Sequence, residues 1–515
     1  MDTSVSVQFL GGVADEQNLT GSCSLLQVKL GKNTYRFLID VGLVQCRFRE
    51  SLERNLAILQ QFKPISINGI ILTHAHIDHG GRIPLMVKHK FNGRIYCTEQ
   101  TANLLPIMLE DNAKIQLSEA LFREKKLKKY LPEKSSFSKT WLGNYDKTKR
   151  KAKSQRQHDP LCEPLYTMEH VKETCALIKA GGYQYEEWIK LTNGIDLKFY
   201  PSGHVLGGAI CVFRISKRKG FLYLGFSGDL GRSDGVILPP PKLVEEPINY
   251  WFTESTYGGR THPLREQEIE RLLAVIEKAV VEKKKIIIPS FALERTQEII
   301  YLISKYIAQK NIPEIPIFLD SPMAVKITKI FSSSWHSPGL FKGQNELHFN
   351  PFCPEENKLL RLVVDQDASS KLIEAEGPCI VIAGSGMCDA GRVRGHLRKG
   401  LGKEKTIICL VGYMTEGSLG RKLKEHHPLV RMNGEEILVK ANVLVFESFS
   451  AHADSPFLNT YVRNLANNPD SALKGVFIVH GEKKSGLDLK VELMKNLKMK
   501  GDEIVIPKIG DIFTF

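Results

Sequence analysis

The sequence predicts an α/β fold with more than one structural unit. The chain has 515 residues, which is more than one ordinary hydrophobic core organises. Its apolar residues fall into short strand-like runs that are separated by helical patterns. A strand–turn–helix pattern then repeats three times, starting at Ile286, Ile317 and Cys379. Such a repeat is typical of a mainly parallel sheet that is covered by helices.

The first elements of the chain lead to a histidine-rich segment. Apolar and polar side chains alternate over residues 5–10, as a half-buried strand requires. The remaining patterns predict strands over 24–29, 35–39, 70–72 and 95–98, and helices over 52–62 and 101–130. The strand over 70–72 therefore delivers the chain directly to Thr73-His74-Ala75-His76-Ile77-Asp78-His79-Gly80.

This segment is the strongest local signal in the sequence. It places three imidazoles and one carboxylate within six residues, at His74, His76, Asp78 and His79. Imidazole nitrogens and carboxylate oxygens are the usual non-thiolate ligands of zinc. A solvated histidine-rich loop would not need these four residues at this spacing after a buried strand. The segment therefore predicts a metal-binding loop.

Three further residues follow predicted strands and suit the same site. His204 lies in a glycine-rich loop after a strand over 197–200, and Asp229 follows a strand over 220–226. A buried carboxylate at Asp229 would be costly without a cationic partner. Asp40 comes directly after the strand over 35–39, where a turn-forming role is the ordinary alternative.

The spacing His74-x-His76-x-Asp78-His79 resembles the signature of the metallo-β-lactamase superfamily. Three later segments are similar to motifs A, B and C of its β-CASP ribonuclease branch: Thr253–Gly258, Ser448–Asp454 and Val476–Glu482. This branch includes the endonuclease subunit of the cleavage and polyadenylation specificity factor and its bacterial and archaeal homologues. The resemblance covers nearly the whole chain.

The resemblance implies a fold and a division into domains. The expected fold is a metallo-β-lactamase αββα sandwich with an inserted β-CASP α/β domain. We expect residues 1–240 to form the first part of the metallo-β-lactamase domain, 241–420 the β-CASP domain, and 421–515 the return to the first domain. The first part would carry a basic insertion at about 122–160.

The resemblance also implies a role for each candidate site residue. Seven residues are expected to bind two Zn²⁺ ions, and Mn²⁺ would suit the same ligand types. The first ion would take three imidazoles, the second a carboxylate and two imidazoles, and one carboxylate would bridge both: His74, His76 and His204; Asp78, His79 and His480; Asp229. Asp40 would orient a metal-bound histidine from behind.

The catalytic group implied by the resemblance combines Asp78 with Glu254 and His452. Glu254 would lie beside His452, which would contact the phosphate and donate a proton to the leaving oxygen. Ser450 would add a hydrogen bond to the phosphate. The implied activity is two-metal hydrolysis of phosphodiester bonds in single-stranded RNA. Internal cleavage is favoured, and the sequence leaves exonuclease activity open.

Three alternatives are weighed against this function. A DNA nuclease of the same branch is disfavoured by His480, because DNA-processing relatives typically carry an aliphatic residue there. A small-molecule hydrolase of the superfamily would have no use for the inserted domain with motifs A and B. An RNA-binding scaffold without activity predicts lost metal ligands, whereas all seven are present.

The net charge of +14 indicates a polyanionic partner and is unevenly distributed along the chain. Residues 123–156 contain 13 Lys or Arg against three acidic residues. We expect this exposed segment, with Lys147, Lys149, Arg150 and Lys151, to contact the RNA backbone. The alternative is a charged, solvated loop.

The sequence also bounds the compartment and the assembly. It contains no apolar stretch of the roughly 20 residues that a membrane helix needs, and no signal-peptide pattern at Met1. The ten cysteines form no CxxC pair, which favours reduced thiols and a cytoplasmic protein. By resemblance, we expect a homodimer through the carboxy-terminal region that ends at Phe515.

Overall fold

Two β-sheets pack face to face, and a third sheet forms a separate layered unit, in the computed structural model of this chain. The structure describes residues 3–14, 20–46, 48–130, 163–412, 414–415, 417–497 and 499–515. The predicted RNA contacts Lys147, Lys149, Arg150 and Lys151 lie outside the described residues.

The strands of the described part, in chain order, are β1 Thr3–Gly11, β2 Cys23–Leu30, β3 Asn33–Ile39, β4 Gly69–Ile71, β5 Arg94–Tyr96, β6 Ile189–Thr192, β7 Ile195–Pro201, β8 Ala209–Ser216, β9 Phe221–Phe226, β10 Tyr250–Thr253, β11 Lys285–Pro289, β12 Ile317–Asp320, β13 Leu360–Leu362, β14 Cys379–Ala383, β15 Thr406–Leu410, β16 Leu429–Met432, β17 Glu435–Leu438, β18 Asn442–Val445, β19 Gly475–Ile478, β20 Ile504–Val505 and β21 Ile512–Thr514.

The α-helices of the described part are α1 Phe48–Ala57, α2 Ile77–Gly80, α3 Ile83–Lys88, α4 Glu99–Tyr130, α5 Met168–Ala176, α6 Arg265–Val281, α7 Arg295–Ala308, α8 Pro322–Ser334, α9 Gln366–Glu374, α10 Val393–Gly400, α11 Leu419–Lys424, α12 Ser455–Ala466 and α13 Lys483–Leu497. None of them combines the length and the apolar character that a membrane crossing requires.

The first two sheets form the sandwich. Their strand orders are β21-β1-β2-β3-β4-β5 and β20-β19-β10-β9-β8-β7-β6. Alternate residues of β1 and β7 point into one shared core, for example Val5 and Val7 from β1 and Leu197 and Phe199 from β7. This alternation is what the sequence pattern of a half-buried strand predicts.

The third sheet has the order β13-β12-β14-β11-β15-β18, and all of its strand pairs are parallel. Every residue of β11, β14 and β15 is buried. Such continuous burial is expected for a parallel sheet with helices on both faces. The sandwich with an inserted α/β domain, as predicted from the sequence, is therefore confirmed.

The third sheet continues beyond residue 420, where the sequence analysis ended the inserted domain. Strand β18 pairs with β15 through Val443 opposite Ile408. Strand β10, by contrast, pairs with β9 and β19 of the second sheet, although it lies after residue 240. We propose that the inserted domain spans about 265–445, because strand pairing assigns residues to a sheet more directly than motif positions do.

Aromatic stacking near the start of the insertion stabilises the sandwich core. Phe252 of β10 lies between Phe226 and Phe477, with ring centroids 4.1 Å and 4.8 Å away and nearly parallel planes. The Phe252 side chain is almost completely buried. Its two neighbours belong to the strands on either side of β10, so the stack joins three consecutive strands of the second sheet.

We predict that Phe252→Ala lowers the free energy of unfolding by about 3–5 kcal/mol, because it leaves a cavity among packed rings. Chemical denaturation would measure the loss. Phe122→Ala is the matched control, since 67% of Phe122 is exposed and its truncation should change stability little. Equal losses in the two variants would contradict the proposed importance of the stack.

Candidate metal centre and active site

The candidate site residues meet at one edge of the sandwich because of strand direction. Strands β3 and β4 run parallel, as do β9, β10 and β19, so within each sheet their carboxyl ends lie on the same side. The residues that follow these ends are Asp40, His74 to His79, Asp229, Glu254 and His480. His204 joins them from the loop between β7 and β8.

The first ligand group combines His74, His76 and His204 with Asp229. His76 Nδ1 lies 3.1 Å from His74 Nε2 and 3.4 Å from His204 Nε2. Asp229 Oδ2 lies 3.6 Å and 3.5 Å from the same two Nε2 atoms. Ligands at about 2.0–2.1 Å from a tetrahedral ion are separated by about 3.3 Å, so this spacing suits one divalent cation.

The second ligand group contains Asp78, His79 and His480, whose ligand atoms lie within 4.8 Å of one another. It faces the other oxygen of Asp229. Oδ1 lies 3.3 Å from His79 Nε2 and 3.6 Å from His480 Nε2. The two oxygens of one carboxylate thus each face a different group of imidazoles.

Hydrogen bonding alone leaves this centre unsatisfied. The Nε2 atom of His79 and the Oδ1 atom of Asp229 are buried, close together and without a hydrogen-bond partner of suitable geometry among the described residues. Buried polar atoms are rarely left unpaired. A divalent cation between the facing atoms would satisfy both, so the donor set fits divalent metal binding.

Electrostatics favour the protonation states that metal ligands need at His74, His204 and Asp229. Burial, together with the neighbouring imidazoles, lowers the pKa of His74 and of His204 well below the usual value, so both rings are neutral. Burial opposes ionisation of Asp229, but the His480 and His79 rings outweigh it and hold its pKa well below the usual range. Neutral imidazole and ionised carboxylate are the binding forms. At His79 burial is outweighed by Asp229 and Asp40, which raise the pKa of this ring well above the usual value, so a cation bound there would displace a proton.

Hydrogen bonds behind the ligands fix the orientation of three rings. Asp40 accepts from His79 Nδ1 at 2.8 Å and from the Thr73 backbone N–H at 2.8 Å. Thr73 Oγ1 lies 3.0 Å from His74 Nδ1. Ser22 Oγ lies 2.9 Å from His480 Nδ1. Each contact occupies one ring nitrogen and leaves Nε2 for a cation.

Glu254 and His452 lie side by side at this centre. His452 Nδ1 is 3.2 Å from both carboxylate oxygens of Glu254, which is fully buried. Glu254 also accepts from the backbone N–H of Leu230 at 2.7 Å. Burial disfavours the charged imidazole, but the carboxylate outweighs burial and raises the pKa of His452 to about 9. His452 is therefore a cation at neutral pH.

The imidazole of His452 stacks against the site. Its ring centroid lies 4.4 Å from that of His204 and 6.2 Å from that of His480. Ser450 Oγ accepts from the backbone N–H of His452 at 3.3 Å, which places this hydroxyl in the same loop and leaves its O–H free to donate.

Three residues that sequence reasoning missed support the loop containing Ser450 and His452. His262 Nε2 donates to the His452 carbonyl at 3.0 Å. Arg232 Nη1 donates to the Ser448 carbonyl at 3.0 Å, and Arg265 Nη2 donates to the Ser450 carbonyl at 3.4 Å. These contacts join segments between 185 and 216 residues apart, so no local spacing could have revealed them. Ser22 was missed for the same reason.

Comparison with known protein families covers most of the chain. The family model described as the metallo-beta-lactamase superfamily matches residues 18–143. The Beta-Casp domain model matches residues 296–423. A third model, the Zn-dependent metallo-hydrolase RNA specificity domain, matches residues 436–507.

Three similar proteins align along nearly the full chain. Ribonuclease TTHA0252 of Thermus thermophilus is 30% identical over 503 residues, which cover 96% of this chain and 97% of that protein. Transcription termination factor FttA of Methanosarcina mazei is 28% identical over 511 residues, or 97% of this chain and 70% of that protein. An RNase J-like protein of Methanocaldococcus jannaschii is 28% identical over 499 residues, or 96% and 97% of the two chains.

We predict that Ser22→Ala weakens divalent-cation binding about 10- to 100-fold, because His480 loses the contact that orients its ring. Competition between the apoprotein and a chromophoric chelator would measure this change. Ser4→Ala is the control, since Ser4 is exposed near the start of β1 and is not one of the site residues. Unchanged affinity in Ser22→Ala would show that His480 needs no such support.

Proposed function

Because this chain belongs to the β-CASP ribonuclease branch of the metallo-β-lactamase superfamily, we propose that it cleaves single-stranded RNA internally by a two-metal mechanism. The chain is a metal-dependent ribonuclease, and the proposal concerns its mode of action and its cofactors. The observation that carries it is the division of Asp229 between two ligand groups, directly beside the Glu254–His452 pair.

Two cations would be held by the ligand groups on either side of Asp229. We propose zinc for both, since five imidazoles and two carboxylates suit it, and manganese as the metal that could replace it. Two such ions supply a water of lowered pKa and neutralise charge on the phosphate. The protein's contribution is to hold seven ligand residues in oriented positions, with Asp229 offering one oxygen to each group.

The Glu254–His452 pair supports proton donation to the leaving oxygen. Glu254 holds Nδ1 of His452, so Nε2 is the nitrogen available to a substrate. The Glu254 carboxylate outweighs burial and raises the pKa of this ring to about 9, which favours the protonated form that a general acid requires. Glu254 is itself fixed by backbone N–H groups of Leu230 and Thr256, so the carboxylate that holds the ring has a defined position.

Single-stranded RNA suits the space next to the metal centre. A groove of about 920 Å³ is lined mostly by the sandwich domain, for example by Leu43, Val44 and Gln45, and reaches the inserted domain at Met387 and Thr415. Leu43 is joined to the metal loop, because its N–H donates to the Ile77 carbonyl at 2.8 Å. An unpaired strand fits such a groove more readily than a duplex does.

An exposed aromatic ring near the groove supports nucleic-acid binding. Phe291 follows β11 and is 38% exposed. Its ring packs so closely on Gly386 that a Cβ atom there would lie 2.8 Å from it. Gly386 directly precedes Met387 in the groove wall. A flat ring with a glycine on one side is a suitable platform for a base, and stacking of this kind is worth about 1–3 kcal/mol per base.

A preference for DNA over RNA would favour the DNA-nuclease alternative. Cleavage of either polymer would argue against a small-molecule hydrolase. The carboxy-terminal homodimer stays a prediction. The basic residues Lys147, Lys149, Arg150 and Lys151 stay proposed contacts for RNA phosphates, outside the described part of the chain.

The direct test is incubation of the zinc-loaded protein with single-stranded RNA and DNA of matched sequence, labelled at either end. We expect internal RNA fragments and little DNA cleavage. The control is the double variant Asp78→Ala/His79→Ala, which removes two ligands of the second group and should abolish cleavage. Metal analysis of the dialysed wild-type protein should find two zinc ions per chain.

Other outcomes of this test would revise the proposal in distinct ways. A ladder of single-nucleotide steps would replace internal cleavage with exonuclease activity and give its direction. Preferential cleavage of DNA would favour the alternative nuclease. One ion per chain would remove the bridging role of Asp229, and no cleavage with two ions bound would contradict the proposed mechanism.

We predict that His452→Ala reduces kcat on RNA by about 10²- to 10⁴-fold, the usual contribution of a general acid. The loss should largely disappear with an RNA in which sulfur replaces the leaving bridging oxygen, because a thiolate leaves without protonation. The ends of the natural products identify which oxygen leaves. An equal loss on both substrates would assign His452 to phosphate binding and not to proton transfer.

A further inference from the structure

The turn between β11 and α7 holds a residue in a costly conformation. Glu294 has φ +72° and ψ −59°, a region that residues with side chains rarely adopt. It occupies the position before the first residue of α7, yet its side chain does not cap that helix. Strained backbone of this kind persists only where surrounding contacts impose it, and it concentrates at functional positions.

The side chain of Glu294 reaches the sandwich domain. Its carboxylate is buried, and Oε2 accepts a hydrogen bond from the backbone N–H of Leu206 at 3.0 Å. Leu206 lies two residues after His204 in the loop between β7 and β8. Glu294 belongs to the inserted domain, so this hydrogen bond joins the two domains directly at the metal loop.

Glu294 forms no hydrogen bond with the arginine side chains nearby in the described structure, because these bind another glutamate. Arg265 and Arg295 both donate to Glu298, one turn further along α7. Burial and the charge of Glu298 raise the pKa of Glu294 to about 8. A buried carboxyl group beside another carboxylate is unfavourable unless it satisfies a specific partner, and the Leu206 N–H is that partner in the described structure.

The loop that receives the hydrogen bond has a tightly constrained backbone. Gly203 and Gly207 both have positive φ, and the Gly208 N–H donates to the Val205 carbonyl at 2.8 Å. His204 in the same loop faces Asp229 Oδ2 through Nε2, and its ring packs at a tilt of 48° against that of His452. A shift of the loop would therefore move His204, which is both a candidate ligand of the first group and a neighbour of His452.

We propose that Glu294 is a positioning residue that ties the inserted domain to the His204 loop and thereby fixes the geometry of the first cation site. The inference rests on the proposed role of His204 as a metal ligand. The cation site is then completed only when the inserted domain is seated against the sandwich. The position of the inserted domain therefore helps to set the affinity of the first site for a cation.

The test compares Glu294→Gly with Glu294→Gln in the full-length protein. Glycine removes the carboxylate but tolerates the positive φ, so we expect the Tm to equal or exceed that of the wild type. Zinc affinity of the first site, measured on apoprotein by chelator competition, should fall about 10-fold or more. Glutamine keeps an acceptor oxygen of the same reach and should restore most of that affinity.

Two controls accompany this test. One isolates the effect of backbone strain from that of the Glu294–Leu206 hydrogen bond, and the other tests whether His204 is a ligand. Lys310→Gly changes an exposed residue with φ +60° after α7 and should leave zinc affinity unchanged. His204→Ala should lose one zinc ion per chain. Retention of both ions would contradict the assignment of His204 as a ligand, on which the proposed role of Glu294 depends. Because zinc affinity is measured without RNA, a failure of the proposed ribonuclease mode would not affect this result.

Unchanged zinc affinity in Glu294→Gly would overturn the inference. Glutamine as defective as glycine would also overturn it, since the tie requires only an acceptor for the Leu206 N–H. A Tm of Glu294→Gly well below that of the wild type would assign Glu294 a general role in stability. In the RNA assay, the supporting pattern is a fall in kcat for Glu294→Gly that Glu294→Gln largely restores.

Discussion

The site depends on one carboxylate shared among imidazoles. Asp229 is buried, and its two oxygens face His74 and His204 on one side and His79 and His480 on the other. An ionised group in such a place is tolerated only because cationic charge is near, whether from a protonated ring or from a bound cation. Everything that orients the four rings therefore also keeps Asp229 ionised, and the rings and the carboxylate cannot be considered separately.

The insertion makes this arrangement a property of the entire chain. Glu254 and His452 are separated by the third sheet, and His480 follows it. His452 and the candidate ligand His480 therefore both reach the site only after the chain has returned from the third sheet. Arg232, Arg265 and His262 donate to the carbonyls of the returning loop. Because such buried donors need acceptors, the loop has one well-satisfied position.

The sequence predicts those parts of the molecule whose signal is local. His74 to His79 form a motif within one short segment after a buried strand, and the strand–turn–helix repeats that begin at β11, β12 and β14 predict a parallel sheet without any tertiary information. Glu254 and His452 were predicted through resemblance, and the structure brings their side chains to 3.2 Å. The end of the inserted domain was less predictable, because β18 is assigned to its sheet only by pairing with β15.

Other residues left no local signal. Ser22 contacts His480 across 458 residues, and Glu294 contacts Leu206 across 88. A serine in a glycine-containing loop and a glutamate before a helix are ordinary in sequence, and their roles arise only when distant segments meet. The role of the most basic segment stays a prediction, because this segment falls largely in residues 131–162, outside the described structure.

The separation of roles along the chain has a mechanistic consequence. The sandwich supplies all seven candidate metal ligands, whereas the inserted domain contributes Met387 and Thr415 to the groove and the exposed ring of Phe291 nearby. Substrate bound in the groove would thus press on the same domain whose Glu294 contacts the His204 loop. A ligand can shift a structure only by binding its alternative arrangements with different affinity. RNA that binds best when the domain is seated would therefore also favour the complete cation site, and cation binding would in turn favour RNA by the same factor.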